Sequence, residues 1–445
     1  MTHSNTSPQI IAALDIGTTK VCALVGRRDQ HGRLEILGLG KVESAGVMRG
    51  VVTNIEKTVN AIREACRIAQ EQAEVTFDTV HVGIAGQHIK SLQHRGMMMR
   101  DNTVSEISQR DIDKLIADMH KLVLPPGDKI LHVIPQEYTV DNEQGIVDPV
   151  GMSGAKLEAN FHIITGQITA SNNIHRCVER AGLKMANVTL EPIASAASVL
   201  YEDEKQAGVA LVDIGGGTTD ITIFQDGIIR HTAVIPFGGH VITKDIKAGC
   251  TVMSQHAEKL KVKYGSALAS EVYENRVIVI PGLRGREPKE ISEKNLSLII
   301  QARVEEIIDH VNWEIRRSGF ENKLIGGIVL TGGGSLLRDI DKLTELQTGQ
   351  STRIGTPIEH LSHGYSEQLT SPIFATGVGL LLQAFTDIDA GRIMPAPVKS
   401  TVEEVEEVEK EKETVVEATA MNGSWLDRAF RKTKEWFEAE PDSDF

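Results

Sequence analysis

Two short stretches of the chain carry residues able to hold a phosphate chain. Asp15-Ile16-Gly17-Thr18-Thr19 lies near the start, and Asp213-Ile214-Gly215-Gly216-Gly217-Thr218-Thr219-Asp220 near the middle. Apolar runs flank both: Ile10 to Leu14 and Val21 to Val25 for the first, Val209 to Val212 and Ile221 to Phe224 for the second. The pattern predicts strand, glycine turn, strand, made twice. Glycine lets the backbone turn through positive φ and brings amide N–H groups and threonine hydroxyls close to an anion. An aspartate beside such a turn cannot bind phosphate itself, so its natural task is to hold Mg²⁺, often through water. Two such turns facing each other would clamp a nucleotide tail. A single Asp-Gly-rich turn reads equally well as an ordinary hairpin, but recurrence in matching strand contexts favours the phosphate reading.

The elements that must position these turns alternate as α/β domains do. After the first hairpin come a strand at Leu34 to Val42, a helix over Ile55 to Gln72 with Ile55, Val59, Ile62, Cys66 and Ala69 at helical spacing, and a strand at Thr79 to Ala85. A helix is expected over Glu106 to Leu122, with Ser108 as a cap and Pro125-Pro126-Gly127 as its stop. Lys129 to Gly166 reads as short strands and turns, Ile174 to Ala181 as a helix, and Val188 to Leu190 as a strand leading through Glu191-Pro192 into a helix over Ile193 to Tyr201. That helix is rich in Ala and Ser, which predicts close packing. The second half repeats the scheme: helices over His240 to Ala248, Ser254 to Tyr264 (capped by Ser254) and Ile291 to Ser318, and a buried strand at Ile325 to Leu330 opening onto Gly332-Gly333-Gly334-Ser335. A small-residue helix over Phe374 to Ala384 follows, and the globular pattern is expected to end at Phe385.

At 445 residues the chain exceeds one compact core, so two or more domains are expected. Hydrophobic residues make up 41%, without an apolar run long enough to cross a bilayer. Met1 to Gln9 is polar and lacks the features of a signal peptide. Cys22, Cys66, Cys177 and Cys250 are scattered, which argues against a zinc site or disulfide framework and for a reducing cytoplasm. A formal net charge of −14 disfavours nucleic acid as a partner.

Much of the acidity is local. Glu403, Glu404, Glu406, Glu407, Glu409, Glu411 and Glu413 crowd a stretch that reads as an extended, solvated linker. Ser424 then caps an expected helix running to Glu438. At 100° per residue, Trp425, Leu426, Ala429, Phe430, Thr433, Trp436 and Phe437 share one arc of about 140°. Arg428, Arg431, Lys432 and Lys434 outnumber Asp427, Glu435 and Glu438 on the remaining face. A helix this short is marginal in water. A lipid interface would bury its rings and attract its cations, although docking on the protein's own body or on a partner would also cover them.

Taken in order, two Asp-x-Gly loops, Glu191-Pro192 ahead of the second, the Gly332 to Ser335 turn after a buried strand and the closing small-residue helix resemble the actin-like ATPase superfamily. Within it, Pro135-Gln136-Glu137-Tyr138, Pro149-Val150-Gly151-Met152-Ser153-Gly154, Leu157-Glu158-Ala159, His162-Ile163-Ile164-Thr165-Gly166, Gly285-Arg286-Glu287-Pro288 and Glu290-Ile291-Ser292 are similar to the FtsA family of bacterial cell-division proteins. The resemblance spans Ile10 to about Phe385. It implies an α/β, two-lobed actin-like ATPase fold with an FtsA-type 1C subdomain in place of actin's 1B. Subdomain 1A would occupy 1–80 and 167–206, 1C 81–166, 2A 207–238 and 324–385, and 2B 239–323. An acidic linker (386–423) and an amphipathic membrane-targeting helix (424–438) would follow.

The resemblance also implies roles, with ATP and Mg²⁺ as cofactors. Gly17, Thr18 and Thr19, with Lys20 as an extra charge, would meet the β- and γ-phosphates, and Gly215, Gly216, Gly217 and Thr218 would hold them from the other side. Asp15 and Asp213 would orient Mg²⁺ and its waters, and Gly332, Gly333, Gly334 and Ser335 would lie along the nucleoside. Glu258 and Lys261, one helical turn apart, resemble the pair that reaches ribose and base, the alternative being a solvated helix pair. Glu191 matches the position that places the attacking water, the alternative being a carboxylate that merely favours a helix start. Hydrolysis would be weak or absent. The function implied is an ATP-binding adaptor that polymerises on the cytoplasmic face of the cell membrane at the division site. There it anchors FtsZ through subdomain 2B and meets later divisome proteins and its own copies through 1C. Trp425, Leu426, Phe430, Trp436 and Phe437, with Arg428, Arg431 and Lys432, would contact the anionic membrane surface. A pilus-assembly adaptor, an MreB-type filament, a metabolite kinase and a DnaK-like chaperone share the fold and remain as alternatives. The tail helix and the Pro149 to Gly154 block favour FtsA over the first two.

Overall fold

The computed structural model describes residues 9–100, 105–282, 287–362, 367–394 and 398–400. It divides into a large unit within Met1–Ala73 and Asp78–Ala396 and a small one within Glu74–Phe77 and Pro397–Phe445. In the small unit, Lys399–Ser400 pairs antiparallel with Val75–Thr76.

The large unit contains two five-stranded sheets of one design. In the first, the strands run Lys184–Leu190, Thr79–Ile84, Ile10–Ile16, Lys20–Arg28, Leu34–Glu43. In the second they run Thr352–Ile354, Ile328–Thr331, Val209–Ile214, Thr219–Gln225, Ile228–Ile235. Each central strand carries an aspartate near its end, pairs antiparallel with the strand after its glycine turn and parallel with a strand much later in the chain. Central position explains composition: Val209–Ile214 is buried along its whole length and is almost wholly apolar, as a strand covered on both faces must be. The internal repeat read from two short motifs is therefore a repeat of whole sheets.

Helices cover these sheets. Ala375–Asp389 packs on Glu191–Val199 so closely that a Cβ on Gly379 would lie 1.7 Å from the Ala194 carbonyl oxygen. This is the close packing that the small residues predict. The long helix Glu293–Ser318 is capped by Ser292, whose hydroxyl accepts from the Asn295 amide. It buries Leu296, Ile300, Val304, Ile307, Val311 and Ile315 at helical spacing against the second sheet and its neighbours Gly239–Cys250 and Ser254–Tyr264.

A third sheet is inserted between Thr79–Ile84 and the helix Ile168–Arg180. Its order is Glu143–Ile146, Asp128–Val140, Lys156–Gln167, Lys90–Met99, and the helix Gln109–Met119 covers it around Leu115, Leu157 and Phe161.

Several expected boundaries move. The helix beginning with Glu191-Pro192 starts two residues earlier than read, because proline is tolerated in a first turn, and ends at Val199. A separate helix, Glu202–Ala207, was not anticipated. Met253 rather than Ser254 occupies the cap position of the next helix. Ile291 and Ser292 belong to a strand, Lys289–Ser292, so the long helix begins at Glu293. The final helix runs past Phe385 to Asp389, and the Asp387 carboxylate accepts from Arg392 at 3.0 Å. Among the described residues no helix is long and apolar enough to cross a membrane. The acidic run from Glu403 and the expected tail helix with Trp425, Leu426, Phe430, Trp436 and Phe437 lie outside the described residues, as do Gly285 and Arg286.

Candidate functional site

The two glycine turns close in the same way. The Gly17 amide donates to the Lys20 carbonyl at 2.9 Å, and the Gly215 amide to the Thr218 carbonyl at 2.9 Å. They also meet tip to tip. A Cβ on Gly216 would lie 1.9 Å from the Thr19 hydroxyl, and one on Gly217 would lie 2.7 Å from the Thr18 hydroxyl. Only glycine permits that approach. The turns thus form one end of a cavity of about 700 Å³ whose walls include Asp15, Gly17, Thr18, Thr19, Lys20, Glu191, Asp213 and Gly215 to Thr218. Glu258, Lys261, Gly332, Gly333 and Gly334 line its other parts. Of the anticipated residues in the described chain, Ser335 alone is not in the wall; it is buried and its hydroxyl donates to the Gly332 carbonyl at 2.8 Å. Its part is to hold the glycine turn in shape.

Four carboxylates and one ammonium group share the end that the glycine turns form. Lys20 pairs with Asp15. Burial works against the Lys20 charge, but Asp15 overrides it and holds the ammonium above the ordinary lysine range. Asp213 accepts from the Ser195 hydroxyl at 2.7 Å and from Thr376 at 3.4 Å, yet burial still raises its pKa. Asp220 stands directly across the ladder from Asp213. Burial and the charge of Asp213 push it up to about 8, although Thr218 donates to one of its oxygens at 3.0 Å. Its other oxygen is buried without a partner. Glu191 is raised well above the carboxylate range by burial and by Asp15, Asp220 and Asp213. Such a surplus of buried negative charge favours a bound cation.

Asp220, Ser195, Thr376, His240 and Arg338 join the site without having been singled out from sequence. The signal for Asp220 was available, since a residue seven positions after Asp213 across a two-strand turn must face it. Ser195 lies one helical turn after Glu191 on the same short helix.

Lys261 and Glu258 form an ion pair at 2.9 Å, and Lys261 also donates to the Gly239 carbonyl at 3.0 Å and to Thr243 at 2.9 Å. With only 14% of its side chain exposed, Lys261 is not half of a solvated helix pair. Burial opposes the Glu258 charge, but Lys261 and Thr243 hold its pKa below the ordinary glutamate value.

Among the described residues no three His, Cys, Asp or Glu side chains converge as a ready-made metal cage. The orphaned Asp220 oxygen and the clustered acids suit a hydrated cation. Mg²⁺ usually keeps several waters and is carried by one or two carboxylates together with substrate phosphates, so Asp15 and Asp213 fit that style of binding.

Two twin sheets joined through a cleft that their glycine turns line make this an actin-like ATPase fold. Solved structures share it: the PilM-PilN type IV pilus biogenesis complex (TM-score 0.61, 15% identity, 84% of this chain and 98% of that one) and MreB5 of Spiroplasma citri bound to ADP (TM-score 0.52, 15% identity, 86% and 98%). Sequence narrows the class. The model of cell division protein FtsA matches residues 210–379, and that of the SHS2 domain inserted in FtsA matches residues 86–165, where the third sheet lies. Cell division protein FtsA of Pseudomonas aeruginosa is 43% identical over 377 residues, covering 84% of this chain and 89% of that protein. Its counterpart in Neisseria meningitidis serogroup B is 41% identical over 398 residues (89% and 94%), and that of Escherichia coli K12 is 35% identical over 383 (84% and 90%). The chain belongs to the FtsA family of actin-like cell-division proteins.

Proposed function

We propose that this chain binds Mg-ATP between its two glycine turns, polymerises beneath the cytoplasmic membrane at the division site, anchors FtsZ filaments there and helps recruit later divisome proteins. The observation that carries the nucleotide half is the tip-to-tip meeting of Gly216 and Gly217 with Thr19 and Thr18 above the cluster of Asp15, Lys20 and Asp213. In this reading the turns grip the β- and γ-phosphates, Asp15 and Asp213 hold Mg²⁺ through water, Glu258 and Lys261 reach the ribose and base, and Gly332 to Gly334 lie along the nucleoside. Glu191, buried among charged neighbours at the phosphate end, positions a water molecule and performs no covalent chemistry; turnover is weak or absent.

The membrane half rests on the pattern at Trp425 to Glu438: aromatic residues on one arc, cations on the rest. Its acids weaken binding by a single copy, so assembly supplies the avidity. The 2B subdomain takes the FtsZ tail and 1C the later divisome proteins and neighbouring copies. Co-sedimentation with anionic vesicles tests this reading. The full chain should pellet with lipid more completely in Mg-ATP, and Trp425→Glu with Phe430→Glu should abolish pelleting while nucleotide binding survives. Equal pelleting of both proteins would refute the anchor.

A further inference from the structure

The inserted sheet is covalently part of the first lobe, which it leaves after Ile84 and rejoins at Ile168, yet its side chains grip the second. What they grip is Ile228–Ile235, the edge strand of the second five-stranded sheet, whose outer side has no strand beside it among the described residues. An edge strand leaves backbone groups unpaired, and here side chains of the inserted sheet donate to three of its carbonyls. Ser91 donates to the Thr232 carbonyl at 2.9 Å, Gln93 to the Arg230 carbonyl at 3.2 Å, and Gln136 to the Ile229 carbonyl at 2.6 Å.

Two β-bulges meet at the centre of this contact. Asn160 pairs with Glu137 and Phe161 with Pro135, which leaves Gln136 as the extra residue of its strand. Opposite, Ile223 pairs with His231 and Phe224 with Ile229, which leaves Arg230 as the extra residue of the edge strand. A bulge re-aims a side chain out of the regular alternation. The Gln136 amide thereby reaches across to the second lobe, and Arg230 reaches back to Glu137 at 2.5 Å.

A buried histidine completes the join. Gln93 lies 3.1 Å from His162 Nδ1, and His162 Nε2 lies 2.9 Å from the Thr232 hydroxyl. With the Gln93 amide donating to Nδ1, the ring proton sits on Nε2 and is donated to Thr232. Burial first, and the neighbouring His231 second, push the His162 pKa down to about 4, so the ring stays neutral and its tautomer is held from both sides.

The join also lies next to the large cavity. Glu191 lines the large cavity, while its neighbours Leu190 and Pro192 line a second cavity of about 230 Å³ together with Lys90, Ser91, Thr232 and Glu314. One short segment therefore separates the nucleotide cleft from the contact.

We propose that the inserted sheet is a strap across the two lobes: Ser91, Gln93, Gln136, Glu137 and His162 clasp the edge strand at Arg230 to Thr232, so the cleft cannot open for nucleotide release without breaking the clasp or turning the sheet. Nucleotide occupancy and the orientation of the inserted sheet are thereby one coupled equilibrium. The inference rests on nucleotide binding in the cleft, as argued above.

The test is stopped-flow release of a fluorescent ATP analogue from the full chain and from a Gln93→Ala, Gln136→Ala double variant, with thermal unfolding as the check on folding. Two lost hydrogen bonds of ordinary net strength predict release faster by about thirtyfold. Release within twofold of the unaltered chain, from a folded variant, overturns the strap. Hydrogen exchange on the unaltered chain decides the matter if the variant fails to fold: adding Mg-ATP should slow exchange at Ser91 to Gln93 and at Arg230 to Thr232 together with the glycine turns. Protection confined to the turns overturns the coupling, and absence of any nucleotide binding overturns both this inference and the reading on which it rests.

Discussion

Replacing Gly217 by alanine probes the meeting of the two turns with one methyl group. Its backbone φ is not in the left-handed region, so alanine brings no conformational strain of its own. The new Cβ would lie 2.7 Å from the Thr18 hydroxyl, 2.9 Å from the Arg49 amide nitrogen and 3.0 Å from the Arg49 Cα, where ordinary contact begins at 3.4 Å. Thr18 can rotate away, but Arg49 is backbone, already held at a φ of 51° between short paired strands. The lobes must therefore part by several tenths of an ångström at the glycine turns. Overpacking of this kind costs about 1–3 kcal/mol, which at roughly 1.4 kcal/mol per tenfold weakens Mg-ATP binding by about 5- to 150-fold. Titration with a fluorescent ATP analogue reads the affinity, and thermal unfolding without nucleotide separates a cleft effect from general destabilisation. Affinity within twofold of the unaltered chain would refute the claim that the facing turns set the grip on phosphate.

Other perturbations follow from the same site. Ser195→Ala removes the 2.7 Å hydrogen bond to Asp213 and should cost about 1.5–3 kcal/mol in unfolding free energy, with a steeper Mg²⁺ requirement for nucleotide binding; an unchanged denaturation midpoint would count against that role. Asp220 is raised in the folded chain from 3.8 to about 8, so its contribution to stability is complete below 3.8 and is lost as pH climbs through about 8. The nucleotide-free chain should therefore lose up to about 1.4 kcal/mol per pH unit across that window through this group, and Asp220→Asn should flatten the slope by about one proton; parallel pH profiles would show that Asp220 is ionised throughout. Glu191→Gln replaces a carboxyl that burial and the neighbouring acids keep protonated with a neutral group of the same shape, so it should leave Mg-ATP affinity within a few-fold of the unaltered chain while losing whatever phosphate release that chain shows; retained turnover would remove Glu191 from the water-positioning role.

How much of this was legible in the sequence depends on whether the information is local. The glycine turns were, because a strand-turn-strand hairpin is specified by neighbours in sequence, and each apolar run beside a turn became a buried strand. The long helix was legible from its apolar spacing, although its first residues went to a strand that tertiary pairing imposes. The inserted sheet was resolved from sequence only as short strands and turns. Its thirteen-residue strand Asp128–Val140 contains Pro135, which ordinarily argues against a central strand and is admitted here beside a bulge. The charge cluster was half visible. Asp15 and Asp213 announce themselves, whereas the part played by Ser195 and Thr376 depends on two distant helices converging on Asp213. The contact of Gln136 with Ile229 could not be foreseen at all, since two separate bulges create it.

In the proposed function this chain joins FtsZ filaments to a membrane under the control of ATP. The most direct measurement places FtsZ filaments, anionic vesicles and the full chain in one sedimentation assay with and without Mg-ATP. FtsZ should enter the lipid fraction only when the chain and Mg-ATP are both present, and should leave it when Trp425 and Phe430 are replaced by glutamate. FtsZ that stays out of the lipid fraction while the chain itself binds vesicles would show that the chain does not carry FtsZ to the membrane.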